Sequence, residues 1–202
     1  MAQGVEQSQK KGLIGQFVFN IFGRPKGPLG RIGGWFMARS NMKMDEWVIA
    51  RLGVRPADHV LEIGFGPGVA IELLSQRAVN GFVAGVDYSE EMIEMAEERN
   101  QEAIAAGKVE LYRAKVEALP FEDGRFDKVL AIKSLAVWDD PAAGLKEIAR
   151  ILKPGGLVAL GFTTNARKQI SQDEIDATLE TAGFKHLRRE KHGSHICLLA
   201  ET

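Results

Sequence analysis

Two carboxylates and a run of glycines carry the chemistry legible in this chain. Glu62 sits near the end of the apolar run 60–63, which passes directly into Gly64, Gly66 and Gly68 at alternate positions. Asp87 closes the next apolar run, residues 81–87. An apolar strand, a glycine turn, a helix and a second strand ending in an acid describe a nucleoside-binding βαβ unit. The glycines let backbone approach a ligand without Cβ clashes. Asp87 would accept hydrogen bonds from ribose hydroxyls, and charge-assisted bonds of that kind are the stronger ones.

The spacing bears on which nucleoside fits. A dinucleotide site uses G-x-G-x-x-G, so that a helix N-terminus meets a pyrophosphate. Here the third glycine comes one residue early and Val69 holds the dinucleotide position. Glu62 would repel a diphosphate and attract an ammonium or a sulfonium. These features favour S-adenosylmethionine (SAM) over NAD, and they disfavour a nicotinamide-dependent reductase. A tight strand-to-helix turn in some other α/β protein remains the alternative for the glycine motif taken by itself.

The elements that must position these groups follow from periodicity and from start and stop signals. Strands are expected over 59–63, 82–86, 108–113, 126–132, 157–163, about 184–190 and 195–201. Helices are expected over 68–79, from Ser89 onward, from Pro141 to about Leu152, and from the Ser171-x-x-Glu174 capping box to Gly183. An earlier amphipathic helix begins near Asn41, with Met44, Trp47, Val48, Arg51 and Leu52 on one face and Gly53 as its stop. Alternation of strand and helix predicts an α/β fold with a parallel sheet covered on both faces, to which the final hairpin, turning at Gly193-Ser194, adds one antiparallel strand.

Composition narrows the class. The chain has 202 residues, 45% hydrophobic and 26% charged, with a formal net charge of −1. That suits one α/β domain and argues neither for nor against nucleic acid. The single cysteine, Cys197, excludes an internal disulfide and a cysteine-rich zinc site, and its apolar neighbours read as a buried strand thiol. The four histidines show no helical metal-ligand spacing, so no metal is expected. No run reaches the roughly 18–20 apolar residues of a membrane span. The N-terminus lacks the order of a secretory signal, which makes the cytoplasm the expected location.

The order of the motifs resembles the class I SAM-dependent methyltransferases, specifically the type 11 group that includes ubiquinone/menaquinone C-methyltransferases. Val60–Gly68 looks like their first motif. Val86-Asp87-Tyr88-Ser89 with Met92 resembles the second, where the acid holds the ribose and the following residues flank the adenine. Ala118-Leu119-Pro120-Phe121 with Phe126-Asp127 resembles the third. Ile148 to Gly156 is similar to the helix-to-strand signature before the fifth strand. The resemblance implies a three-layer αβα Rossmann-like fold, its seven-stranded, mostly parallel sheet carrying one antiparallel strand. It also implies SAM as cofactor, S-adenosylhomocysteine (SAH) as product, and Glu62, Gly64, Phe65, Gly66, Gly68, Asp87, Tyr88, Met92, Lys115, Val116 and Ile132 around the donor. Lys115 departs from the pattern, because many relatives place an acid there for the adenine amine and an ammonium cannot accept that bond. Backbone of residues 114–116 or Glu117 would then read the adenine.

The expected acceptor is a small, apolar or aromatic molecule, with no nucleic acid. Methyl transfer from a sulfonium needs positioning more than acid–base machinery. A base is required only if the nucleophile loses a proton. His192 and His195, in the hairpin turn, are the candidates. Trp138 and Trp35 are candidate acceptor walls. Residues 1–43 read as a separate extension ahead of a methyltransferase domain over 44–202. Between residues 12 and 43 the extension is rich in glycine, aromatic and basic residues and has no acid. It suits a lid over an apolar pocket or a peripheral membrane contact. A monomer or homodimer is expected. The alternative to an enzyme is a catalytically silent SAM-binding module that serves a partner.

Overall fold

Alternation along the strands sends side chains to both sides of one sheet, and the helices fall into two layers as a result. The structure, a computed structural model, describes residues 42–163 and 171–202. The strands are β1 (His59–Ile63), β2 (Phe82–Asp87), β3 (Val109–Arg113), β4 (Phe126–Ile132), β5 (Leu152–Thr163), β6 (Lys185–His192) and β7 (His195–Glu201). Their order across the sheet is β3-β2-β1-β4-β5-β7-β6. β1 through β5 pair in parallel, and β7 runs antiparallel to both β5 and β6. The helices are α1 (residues 42–52), α2 (Val69–Ser75), α3 (Glu90–Ala105), α4 (Pro141–Ile151) and α5 (Gln172–Thr181).

One face of the sheet packs Val60, Val83, Leu130, Ala159 and Cys197 against Val48 and Leu52 of α1, Ile71 and Leu74 of α2, and Ala96 of α3. The other packs Leu61, Val86, Val129, Leu160 and Leu198 against Leu145 and Ile148 of α4 and Leu179 of α5. This is the expected three-layer αβα sheet with a single reversed strand. Capping follows the sequence signals. Asp140 accepts from the amides of Ala142 and Ala143. Ser171 and Glu174 form the reciprocal capping box.

Some boundaries differ, each for a local reason. α2 ends at Ser75, short of 79, because the chain turns back early to meet β2: Asn80 N–H donates to Pro56 O and Phe82 N–H to Asp58 O. β5 begins at Leu152, before Lys153-Pro154-Gly155-Gly156, because Leu152 pairs with Phe126 and a bulge absorbs the turn. The buried face of α1 is Met44, Asp45, Val48, Ile49 and Leu52. Trp47 and Arg51, expected on that face, lie at its flank. There Arg51 bonds Glu190 of β6 at 3.0 Å and stands over the Trp47 ring. Cys197 is buried as expected, and burial pushes its thiol up to about 12. Beyond Glu201, Thr202 donates to the carbonyls of Gly156 and Lys153, at the start of β5.

Candidate active site

The C-terminal ends of β1, β2 and β4 converge on one rim, where parallel α/β sheets bind their ligands. Gly64, Gly66 and Gly68 all adopt left-handed φ, at 71°, 54° and 77°. Two of these positions are also contact points within the protein. A Cβ on Gly64 would lie 2.4 Å from Ser134 Cβ, and one on Gly68 would lie 2.7 Å from Ala96 Cβ. Ser134 donates to Ile63 O at 2.9 Å, and Asn100 Nδ2 donates to Gly68 O at 3.1 Å. The turn is therefore clamped between the loop after β4 and helix α3.

Asp87, 7% exposed, helps to hold that clamp. Its Oδ2 accepts from Gly66 N–H at 3.0 Å and its Oδ1 from Ser89 N–H at 2.9 Å. Tyr88 N–H is a third backbone donor to this carboxylate, which keeps acceptor capacity for a further donor. Burial raises its pKa, against the backbone hydrogen bonds that lower it.

Glu62 is the most informative atom set in the molecule. It is 3% exposed, and its Oε2 has no hydrogen-bond partner among the described residues. Burial, then the charges of Asp45 and Asp87, hold its pKa well above the ordinary carboxylate value. A buried acceptor left open at the mouth of a glycine turn asks for a cation or a donor from outside the protein. The residues present fit a positively charged adenosyl donor: open Glu62 Oε2, Asp87 one strand away, and apolar Phe65, Met92, Val116 and Ile132, all buried. Tyr88 is 37% exposed beside Asp87.

A family model described as "Methyltransferase domain" matches residues 61–160. The uncharacterized methyltransferase YdaC of Bacillus subtilis is 34% identical over 129 residues, covering 64% of this chain and 69% of YdaC. The chain belongs to the type 11 SAM-dependent methyltransferase family. The ubiquinone/menaquinone biosynthesis C-methyltransferase UbiE of Geobacter sp. (strain M21) is 33% identical over 120 residues. That match covers 58% of this methyltransferase but only 51% of UbiE. A SAM-dependent methyltransferase from Aquifex aeolicus has the same fold, with a TM-score of 0.67, 23% identity, and coverage of 78% of this chain and 88% of that one.

Other expected site residues of this methyltransferase sit as follows. Lys115 is exposed and its ammonium bonds Asp139 Oδ2 at 2.7 Å. Glu117 accepts from the amides of Asp139 and Asp140, so its carboxylate organises the loop before α4. Trp138 packs close to Val116 and Gly144 of α4, since a Cβ on Gly144 would meet both at 3.0 Å. His192 and His195 pair across the hairpin end, level with Thr163 at the end of β5, and His192 lies 6.0 Å from the Trp47 ring. Trp35 and the rest of the aromatic extension lie outside the described residues. Sequence reasoning passed over Asp45 and gave Lys133 no role of its own. Asp45 is a buried acid inside the apolar stripe of α1, and Lys133 is a non-glycine residue at φ 56°. An acid interrupting an apolar face was the available signal for the first.

Among the described residues no helix is long and apolar enough to cross a membrane.

Proposed function

We propose that the protein transfers the methyl group of SAM to a small apolar or aromatic acceptor. The observation that carries this reading is the open, buried Oε2 of Glu62 above a glycine turn, with the Asp87 carboxylate at the end of the adjacent strand. Glu62 balances the donor's positive charge. Asp87 takes the ribose hydroxyls on its remaining lone pairs and keeps Gly66 in place. Backbone of residues 114–116 reads the adenine, because the side chains of Lys115 and Glu117 are engaged with the 139–140 loop. Met92 and Val116 supply its apolar walls. When bound, the sulfonium supplies an already activated methyl group. The chain's own work is orientation and exclusion of water. His192 or His195 takes the acceptor's proton if the nucleophile carries one. Residues 12–43, of which 12–41 lie outside the described part, are the proposed lid over this rim.

A screen of small metabolites with methyl-labelled SAM tests the reading. Label transferred to an apolar or aromatic compound supports it. SAM binding by calorimetry with no transfer to any compound would favour a silent SAM-binding module. Asp87→Ala is expected to weaken SAM binding by about 1–3 kcal/mol, through lost ribose bonds and a loosened Gly66. Calorimetry checks this, and unchanged affinity would remove Asp87 from the site.

A further inference from the structure

Helix α1 precedes the stretch matched by the family model, residues 61–160, yet it delivers a third carboxylate to the rim. Met44 and Val48 press against β5 at Gly161, where a Cβ would come within 3.2 Å and 3.1 Å of their side chains. That seat fixes Asp45, 6% exposed, on the inner face of the helix. Three charged groups act on the Asp45–Glu62 neighbourhood from the elements around it: Lys133 after β4, Asp87 at the end of β2, and Glu46 on α1 itself. β1 lies between β2 and β4 in the sheet. Glu62 therefore has Asp87 on its β2 side, while Asp45 acts on it from α1 and Lys133, just after β4, lowers Asp45 in turn. If Asp87 marks the ribose end, Asp45 stands toward the sulfonium and amino-acid end.

We propose that Asp45 is a specificity residue of the donor site. With Glu62 it makes the site prefer the sulfonium donor over its thioether product, and donor binding drives a proton from this carboxylate pair into solvent. The inference rests on the proposed function above. Its second support is Glu62 Oε2, which is buried with no hydrogen-bond partner among the described residues.

The charge logic is as follows. Burial pushes Asp45 up to about 7, with Lys133 lowering it and Glu46 raising it. Glu62 is raised too, by burial and then by Asp45 and Asp87. At neutral pH the empty pair therefore retains protons. SAM brings an ammonium and a sulfonium, and both favour the ionised pair. SAH brings the ammonium alone and so displaces fewer protons. As pH rises through about 7, Asp45 gains its charge and the donor gains affinity relative to the product. After transfer the sulfonium charge is gone, the pair recovers its proton, and the hold on the product weakens relative to the donor.

Calorimetric titration of the full chain with SAM and with SAH at pH 6 and pH 8 tests this. The ratio of the SAH to the SAM dissociation constant is expected to rise about tenfold across that range, because a carboxyl titrating at about 7 goes from about a tenth to about nine tenths ionised. At pH 7, titrations in buffers of different ionisation enthalpy should show more protons released by SAM than by SAH. Asp45→Asn should bind SAM but flatten the ratio. Lys133→Met should keep the rise and move it to higher pH, because the cation that lowers Asp45 is gone. A wild-type rise persisting in Asp45→Asn overturns the proposal, and so does a flat ratio in the wild-type protein that binds both ligands. Failure of the wild-type protein to bind either ligand at both pH values would overturn the proposed function as well.

Discussion

Glu62→Gln is expected to bind SAM about 3–5 kcal/mol more weakly than the wild-type protein, yet to be the more stable of the two when empty. The first effect follows from removing one anionic partner of the proposed donor, in a buried site where a lost charge partner is costly. The second follows from the pKa. Glu62 is held above its unfolded value by burial and by Asp45 and Asp87. A carboxyl raised in the folded state contributes stability below its unfolded pKa and loses it as pH rises through the folded one. Glutamine mimics the protonated acid and does not ionise. The stability gain should therefore be largest at pH 8 and shrink as pH falls toward 5. Scanning calorimetry of the empty proteins at several pH values, beside SAM titrations, reads both effects. A variant that loses stability at pH 8 and keeps its SAM affinity would contradict the assignment of Glu62.

Gly64→Ala should cost about 3 kcal/mol of folding stability and most of the SAM affinity. A non-glycine residue in the left-handed region costs about 1–2 kcal/mol. The new Cβ would lie 2.4 Å from Ser134 Cβ, a distance that forces Ser134 away, and overpacking of this kind adds about 1–3 kcal/mol. Moving Ser134 breaks its bond to Ile63 O and displaces Lys133 with it. Gly124→Ala is the control, since Gly124 has the same sign of φ, 63°, and open space where the Cβ would go. It should cost only about 1–2 kcal/mol and leave SAM binding intact. Urea unfolding of both variants separates backbone strain from contact. Equal losses would mean that the Ser134 contact is unimportant.

The sheet was readable because its strands alternate cleanly and end in marked residues. β4 at 126–132 and β7 at 195–201 were placed to the residue, and the reversal of β7 followed from a two-residue turn at Gly193-Ser194. Helix ends were harder where tertiary contacts overrode local pattern. α2 stops early because Gly81 must pass Asp58 O, where a Cβ would sit at 2.1 Å. That crowding belongs to the folded chain and leaves no mark in a helical period. Glu62, Asp87 and the glycines were singled out by type and spacing, and the structure brings them to one rim, whereas their mutual geometry was not legible. Asp87 holding Gly66, and Ser134 facing Gly64, join residues 21 and 70 positions apart in the chain. The α1 face was misassigned because helical spacing counted from Met44 admitted Trp47 and Arg51 and skipped Asp45 and Ile49. An acid buried by tertiary packing looks, in a one-dimensional pattern, like a solvated one.

The reversal of the seventh strand has a practical corollary. It returns the backbone to the floor of the sheet, where Thr202 is tied to the carbonyls of Gly156 and Lys153. Seven residues of extended backbone, about 20 Å, separate that point from the hairpin tip. Whatever is joined after Thr202, whether a tag, a tether to a surface or another polypeptide, emerges at the end of the molecule opposite the cleft. Immobilising the protein by that end should leave the entrance open to bulky compounds.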